Sequence, residues 1–500
     1  MRTFSSLSWL PFLWGAILLN GYVNVISGSD EGQSADTIPA LYEHGSLVRQ
    51  DTLFIIGGRT QVPPTTEDGG ATNAPEAFSN RMWTLSLTNL TNISFPTWTP
   101  TDPAVNYPQV CGAVVLNTTD TDSGFLTAYG GDGPETELQR TDFYAYMELN
   151  RPVWSRRTLK VSRLGRWYGQ SGVNSGATGY TVYFGGVDPV AYRQFMTSTI
   201  IASRNDTNSS NSDSNSDSGS QGQSIIQTQS TTYYKMVDGS QFTLDHQDNT
   251  PSSRFLHTAV MINGTHMAVV GGNSLKGPID VELVHVLDTV EKTWSLVPTS
   301  GATFGSIYST AAVVYRRKII FIGGLYNDGS LVSNILTLDT TQMPWQWDTA
   351  PTTNLPANLA ARYSHSAYLL GRVVLISFGR TEDGHPSQDF FALELESSAG
   401  NDNDDDGSNN YQSLDALDLR AAMKIPEDAR DYSLYRFVKD PKPTDDEGHK
   451  TTIILVSVFV VIGFGLAVFL FWWFKVRQPR VVIDPWTNQP VAKKKGFTIL

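Results

Sequence analysis

The chain has 500 residues, a formal net charge of −13 and an aromatic content of 11%, with 12 Trp, 20 Tyr and 23 Phe. Aromatic residues at that density suit strands better than helices, and the acidic balance argues against a nucleic-acid partner, which selects basic surfaces. A lone cysteine, Cys111, excludes an internal disulfide framework, so stability has to come from packing.

The charge is uneven. Residues 475–500 hold six Lys/Arg against one Asp, a surplus of +5, which leaves −18 for the rest. At the other end, Arg2, an apolar stretch from Leu7 to Leu19 and small residues near Ser27 and Gly28 predict a signal peptide over 1–28. An N-terminal anchor is the rival reading, but Pro11 and Asn20 keep the apolar core short.

A repeat follows. Leu53 to Gly58 reads LFIIGG, Leu126 to Gly131 LTAYGG, Thr181 to Gly186 TVYFGG and Met267 to Gly272 MAVVGG. Lys318 to Gly324 reads KIIFIGG, and Val374 to Arg380 gives a worn copy, VLISFGR. Each run is too short for a helix, rich in β-branched and aromatic residues, and stopped by glycine, which predicts a buried strand. Paired glycines supply a positive φ or a close backbone approach where such a strand ends. Three copies carry a second apolar strand ending in Asp288, Asp339 or Glu148, and a Trp six residues later: Trp294, Trp345 and Trp154. His44, His257 and His365 hold equivalent places in the strand before the glycines, as do Arg166, Arg254 and Arg362 at its start. Four antiparallel strands per unit cannot stand alone; they bury themselves sheet on sheet around an axis.

The double glycine, the aromatic–acidic strand and the following Trp make the chain resemble the kelch-repeat family over about residues 38–396. The resemblance implies an all-β, six-bladed kelch-type β-propeller, here spanning 34–400, and implies a scaffold more often than an enzyme. It also nominates Arg166, Arg254 and Arg362 as a carboxylate-binding set at the channel mouth, since guanidinium forks match carboxylates. The alternative is that each bonds loop carbonyls of its own or a neighbouring blade. Two blades depart from the pattern: the third lacks the Trp, and the sixth has Phe378-Gly379 and no Trp after it. The strand closing the sixth is expected from 434–439 or from the mature N-terminus.

Residues 203–224, rich in Asn, Ser and Asp, predict a disordered insertion in the third blade. Sequons stand at Asn89, Asn92, Asn117, Asn205, Asn208 and Asn263, in agreement with a secreted route. After the propeller, 401–450 reads as an acidic and polar stalk. Its run Asp402, Asp404, Asp406, Gly407 mimics a calcium loop, but position 12 is Ser413 and no helices flank it, so a solvated linker is the better reading. Residues 453–474 lack charge and proline for 22 positions and predict a single C-terminal transmembrane helix. Trp472 and Trp473 form an aromatic belt, and Lys475 and Arg477 place the basic tail, 475–500, in the cytosol.

Oxidase-like chemistry, known on copper radical propellers resembling galactose oxidase, needs a cysteine cross-linked to tyrosine and a histidine pair. Cys111 heads an alternating strand, and the three histidines sit in different blades. Neither a phosphate loop nor a Ser/His/Asp motif is present. The expectation is a non-enzymatic, cofactor-free, single-pass membrane protein of the cell surface or secretory pathway, N-terminus outside. It binds a protein or glycan at the propeller face, and an extracellular carbohydrate-active or oxidase-like enzyme is the alternative.

Overall fold

Each apolar run that ends in glycine forms the second strand of a four-stranded antiparallel unit. We describe these units in a computed structural model. It describes residues 37–61, 76–88, 90–101, 106–118, 125–140, 142, 144–148, 151–159, 167–193, 228, 230–236, 238–350, 352, 355–395, 411–418 and 422. Two compact units divide the chain, 1–435 and 436–500, and the second lies outside the described residues.

The first sheet is built from Gly45–Arg49, Thr52–Ile56, Trp83–Ser86 and Thr99–Pro100, the second from Val114–Thr118, Phe125–Tyr129, Tyr144–Glu148 and Arg151–Arg157. The third uses Ser171–Ser175, Tyr180–Phe184, Thr231–Tyr234 and Gln241–Thr243. An eight-stranded sheet holds the fourth and fifth units. Its halves are Thr258–Met261, His266–Val270, Leu283–Asp288, Thr293–Gly301 and Ala311–Tyr315, Lys318–Ile322, Ile335–Asp339, Trp345–Ala350. Parallel pairing of Thr299–Gly301 with Trp345–Trp347 joins the halves. Ser366–Leu370, Val373–Ser377, Phe390–Glu394 and Gln412–Leu414 make the sixth.

The second strands are buried on both faces, as their unbroken apolar runs require: Ile319, Ile320, Phe321 and Ile322 are 0–2% exposed. Apolar clusters lie between neighbouring units, and one of them joins the sixth unit to the first through Leu53, Trp83, Trp98, Phe378 and Phe390. The arrangement is all-β and propeller-like. In the third unit, which lacks the Trp, Phe242 stacks on Tyr233 with ring centroids 4.7 Å apart.

Two rings of backbone hydrogen bonds close the circle. In the inner ring, Gly112 N donates to Glu43 O, Gly169 N to Gly112 O and Leu256 N to Gly169 O. Ser309 N then donates to Leu256 O, Ser364 N to Ser309 O and Glu43 N to Ser364 O, with lengths of 2.7–3.2 Å. All six residues take a positive φ of 53–63°. In the second ring the last glycine of each unit donates to the next unit: Gly58 to Val110 O, Gly131 to Trp167 O, Gly186 to Arg254 O, Gly272 to Ile307 O, Gly324 to Arg362 O and Gly379 to Leu41 O.

That second ring explains the first glycine of each pair. A Cβ on Gly323, at φ +59°, would lie 2.2 Å from Arg362 O, and on Gly57 it would lie 2.2 Å from Val110 O. Gly323→Ala is therefore expected to cost at least about 2 kcal/mol, combining left-handed strain with a backbone clash. A denaturant midpoint within error of wild type would refute this.

The closing strand of the sixth unit corrects an expectation. It is Gln412–Leu414, pairing with Ala392–Glu394, and not the mature N-terminus. Residues 434–439 lie outside the described residues. The stalk therefore cannot begin at 401. Leu417 N donates to Leu90 O and Ile93 N to Asp415 O, both at 2.9 Å, while Leu417 and Ala422 join the apolar cluster with Ile38 and Leu41. Apolar burial rather than a Trp selects this strand.

Among the described residues no helix is long and apolar enough to cross a membrane. The predicted leader 1–28, insertion 203–224, acidic run 402–406, span 453–474 and tail 475–500 all lie outside the described residues.

Candidate functional site

Of the three nominated arginines, Arg166 lies outside the described residues. Arg254 and Arg362 are 2% and 0% exposed. Arg254 donates from Nε to Ser252 O (3.1 Å), from Nη1 to Gly271 O (3.0 Å) and from Nη2 to Ser252 Oγ (3.2 Å). Arg362 donates from Nη1 to Phe378 O (2.6 Å) and from Nε to Asn358 O and Leu359 O. Each arginine thus accepts the preceding unit's glycine N–H on its own carbonyl and grips its own glycine turn with its side chain. Burial without a full countercharge pushes both guanidinium pKa values down to about 10. Their donors go mainly to loop carbonyls, the second of the two roles weighed from the sequence, with Ser252 Oγ and Asp389 Oδ2 (3.4 Å from Arg362 Nη2) as the side-chain partners.

The equivalent histidines are buried too. His44 Nε2 meets Ser366 Oγ (2.8 Å) and Ser377 Oγ (3.1 Å). His257 lies against Gly272 of its own unit and Gly185 of the preceding one, and His365 lies likewise against Gly379 and Gly323. Burial pushes the pKa of His44 and His257 down to about 3, and that of His365 well below its ordinary value.

Among the sequons, Asn92 is exposed, whereas Asn263 is 6% exposed and accepts backbone N–H bonds from Thr265 and His266 in its turn. Asn92, whose Oδ1 likewise accepts from Ser94 N and Phe95 N, is open to solvent, and Asn263 is not. Asn117 lies in the strand Val114–Thr118; Asn89, Asn205 and Asn208 are outside the described residues.

The charged centre of the molecule lies where sequence reading did not look, at the residue following each glycine pair. There the chain crosses back over the ring mouth, pairing Tyr42 with Arg59, Cys111 with Asp132, Tyr168 with Val187, Phe255 with Asn273 and Tyr363 with Arg380. Tyr308 pairs with Leu325 in the same way. Charged residues occupy this position in three consecutive units, the sixth, first and second; Val187, Asn273 and Leu325 occupy it in the others.

Arg59 is the hub, at 2% exposure. Its Nη2 lies 2.6 Å from Asp132 Oδ2, its Nη1 3.3 Å from Glu76 Oε2 and its Nε 3.5 Å from Glu43 Oε2, and Nε also donates to Cys111 Sγ at 2.8 Å. Arg380 meets Glu76 Oε1 at 2.5 Å and lies 3.9 Å over the Tyr42 ring. Burial alone would raise the Glu76 pKa, but Arg59 and Arg380 outweigh it and hold the carboxyl below its usual range. Burial raises the Cys111 thiol well above its ordinary value, outweighing the opposing effect of Arg59, so the sulfur stays protonated and takes part as an acceptor.

The third unit supplies the cover. Asp188 caps a helical turn over 189–193: its Oδ1 accepts from Ala191 N (2.8 Å), and Pro189 takes the first helical position. The turn lays Tyr192 on Tyr168 (5.8 Å, stacked) and against Phe255 (5.2 Å). Arg193 then reaches the second unit, donating from Nε to Asp132 Oδ2 (2.9 Å) and from Nη2 to Asp132 Oδ1 and Gly133 O (2.7 Å). Among the described residues no group of three or more His, Cys, Asp or Glu could hold a metal ion.

Four-stranded antiparallel units, circularly stitched and bearing a charged mouth at their glycine end, define a propeller-like scaffold. The solved structure of YjhT superposes on 76% of this chain and 99% of its own, at 13% identity and a TM-score of 0.51, which shows the fold. Residues 214–401 match the model of the KLHDC2/KLHL20/DRC7 kelch-repeats domain. That match identifies kelch repeats in this chain. Adagio-like protein 3 of Oryza sativa subsp. japonica is 28% identical over 129 residues, 26% of this chain and 20% of that protein. The tRNA wybutosine-synthesizing protein 2/3/4 of Arabidopsis thaliana is 35% identical over 100 residues, 20% of this chain and 10% of that one. The match thus spans a fifth or less of the length of these two relatives.

Proposed function

We propose that this protein is a single-pass membrane protein, N-terminus outside the cytosol, that presents a six-bladed kelch propeller as a docking scaffold for a protein or glycan. The observation that carries the docking reading is the gathering of six loops, one after each glycine turn, at one end of the ring. Support for the anchor is the 22-residue span 453–474 followed by Lys475 and Arg477. Against an oxidase-like reading stands Cys111, whose sulfur is engaged by Arg59 and whose thiol is held protonated.

A photoreactive amino acid placed at exposed Lys276, Asn327 or Glu382, at the glycine end, is expected to capture one discrete partner in the native cell. The same probe at exposed Gln50 or Glu291, at the opposite hairpin end, serves as control. Equal capture from both ends would defeat the docking reading.

A further inference from the structure

The ionic cluster at the mouth is balanced only because the chain fills it from within. Among the described residues, Arg59, Arg380 and Arg193 face Glu43, Glu76 and Asp132, three charges against three. Arg193 is the outermost member: its side chain is 21% exposed, while those of Arg59 and Asp132 are 2% and 3% exposed. Without it, two cations would face three carboxylates, and Asp132 would open to solvent at the end where the six loops gather. Its Oδ1 would still be oriented by Gly133 N (2.8 Å), and Oδ2 by Arg59. Glu43 Oε2, buried and without a hydrogen bond, is a further acceptor in the same cluster. Tyr192, next to Arg193 in the same turn, rests on Tyr168 and Phe255 and fixes the turn over this site.

The site that the Arg193 guanidinium fills under the 189–193 turn therefore has a forked carboxylate and a backbone carbonyl. Together these recognise a guanidinium group, because the carboxylate and carbonyl accept its forked N–H donors. We propose that this pocket binds the arginine side chain of a partner peptide, and that Arg193 occupies it in cis as an internal competitor. The peptide source rests on the docking reading above; the guanidinium chemistry does not. A tethered competitor acts at an effective concentration in the millimolar range for a short connection, so it weakens the apparent affinity without altering the pocket.

The test uses purified full-length protein and two probes, Nα-acetyl-L-arginine N-methylamide for a peptide arginine and agmatine for a free guanidinium. The norleucine analogue is the neutral control. Arg193→Ala is expected to bind the arginine amide at least tenfold more tightly than wild type, and Asp132→Asn in that background to abolish the gain. If Arg193→Ala fails to fold, either guanidinium probe, and not the norleucine analogue, is expected to restore its thermal transition; Arg193→Gln provides a second, milder background. Tighter binding of agmatine than of the amide would overturn the peptide source. A folded Arg193→Ala with unchanged affinity, or unfolded variants that no guanidinium rescues, would overturn the proposal. Cross-linking from the glycine end that persists in that event leaves the docking reading standing.

Discussion

Arg59→Met is expected to cost about 3–5 kcal/mol, because it removes the shared partner of three carboxylates that have almost no access to water. The favourable term is not simply Coulombic gain, since desolvating the guanidinium is itself expensive. What makes the substitution severe is the state left behind: Asp132 would keep Arg193, but Glu76 would rely on Arg380 alone and Cys111 would lose its donor. Domains hold roughly 5–15 kcal/mol in total, so such a loss consumes a large part of the margin. Replacing Glu76 with Gln in the same chain is expected to recover part of it, because it removes one stranded charge. The pair Arg140–Asp142, with side chains 36% and 34% exposed, serves as the internal control. Arg140→Ala should change stability by less than about 1 kcal/mol. Comparable losses for Arg59→Met and Arg140→Ala in urea unfolding would refute the hub.

Acid should destabilise the propeller well before its carboxylates titrate. His44, His257 and His365 are neutral in the fold because burial disfavours their charged form, aided by Arg254 beside His257 and by Arg362 and His44 beside His365. In the unfolded chain they take protons near the ordinary value of about 6.5. The unfolded state therefore binds more protons throughout the window between about 6.5 and about 3. Stability is fully present above 6.5 and is lost as pH falls through that window. One such histidine contributes a slope of up to about 1.4 kcal/mol per pH unit, so three approach about 4 kcal/mol per unit below pH 6. Glu76, whose pKa is also lowered, adds loss in the same direction but only below its ordinary value of 4.5, which separates the two in pH.

The chain itself suggests the test substitutions. The equivalent position holds Gln170 in the third unit and Thr310 in the fifth. His257→Gln with His365→Thr should flatten the dependence of the urea midpoint between pH 7 and pH 5. An unchanged slope in that double variant would show that these histidines do not titrate on unfolding.

These two predictions differ in how far the sequence foreshadowed them. The histidines were legible because a repeat places them in one register, and a shared register implies a shared environment. Arg254 and Arg362 were legible in the same way, although only the neighbouring unit's glycine turn shows that their carbonyls accept its N–H. Arg59, Asp132 and Arg380 each stand directly after a glycine turn, so that position was available to inspection; two are basic, one is acidic and the other three units hold Val187, Asn273 and Leu325, which form no pattern to notice. Glu76, in a short strand paired with Arg59–Gln61, and Arg193, in the helical turn 189–193, stand in segments with no repeat grammar, and nothing local links them to Asp132.

The apolar runs, their period and the paired glycines by themselves determined an all-β chain of repeated four-stranded units, since strand burial and positive φ are local demands written in residue type. The tertiary structure decided what lies between units: which carbonyl each glycine receives, that 412–414 closes the sixth sheet, and that an arginine from the third unit neutralises an aspartate of the second. Such contacts depend on how the ring closes on itself, and ring closure brings together side chains that no sequence spacing connects.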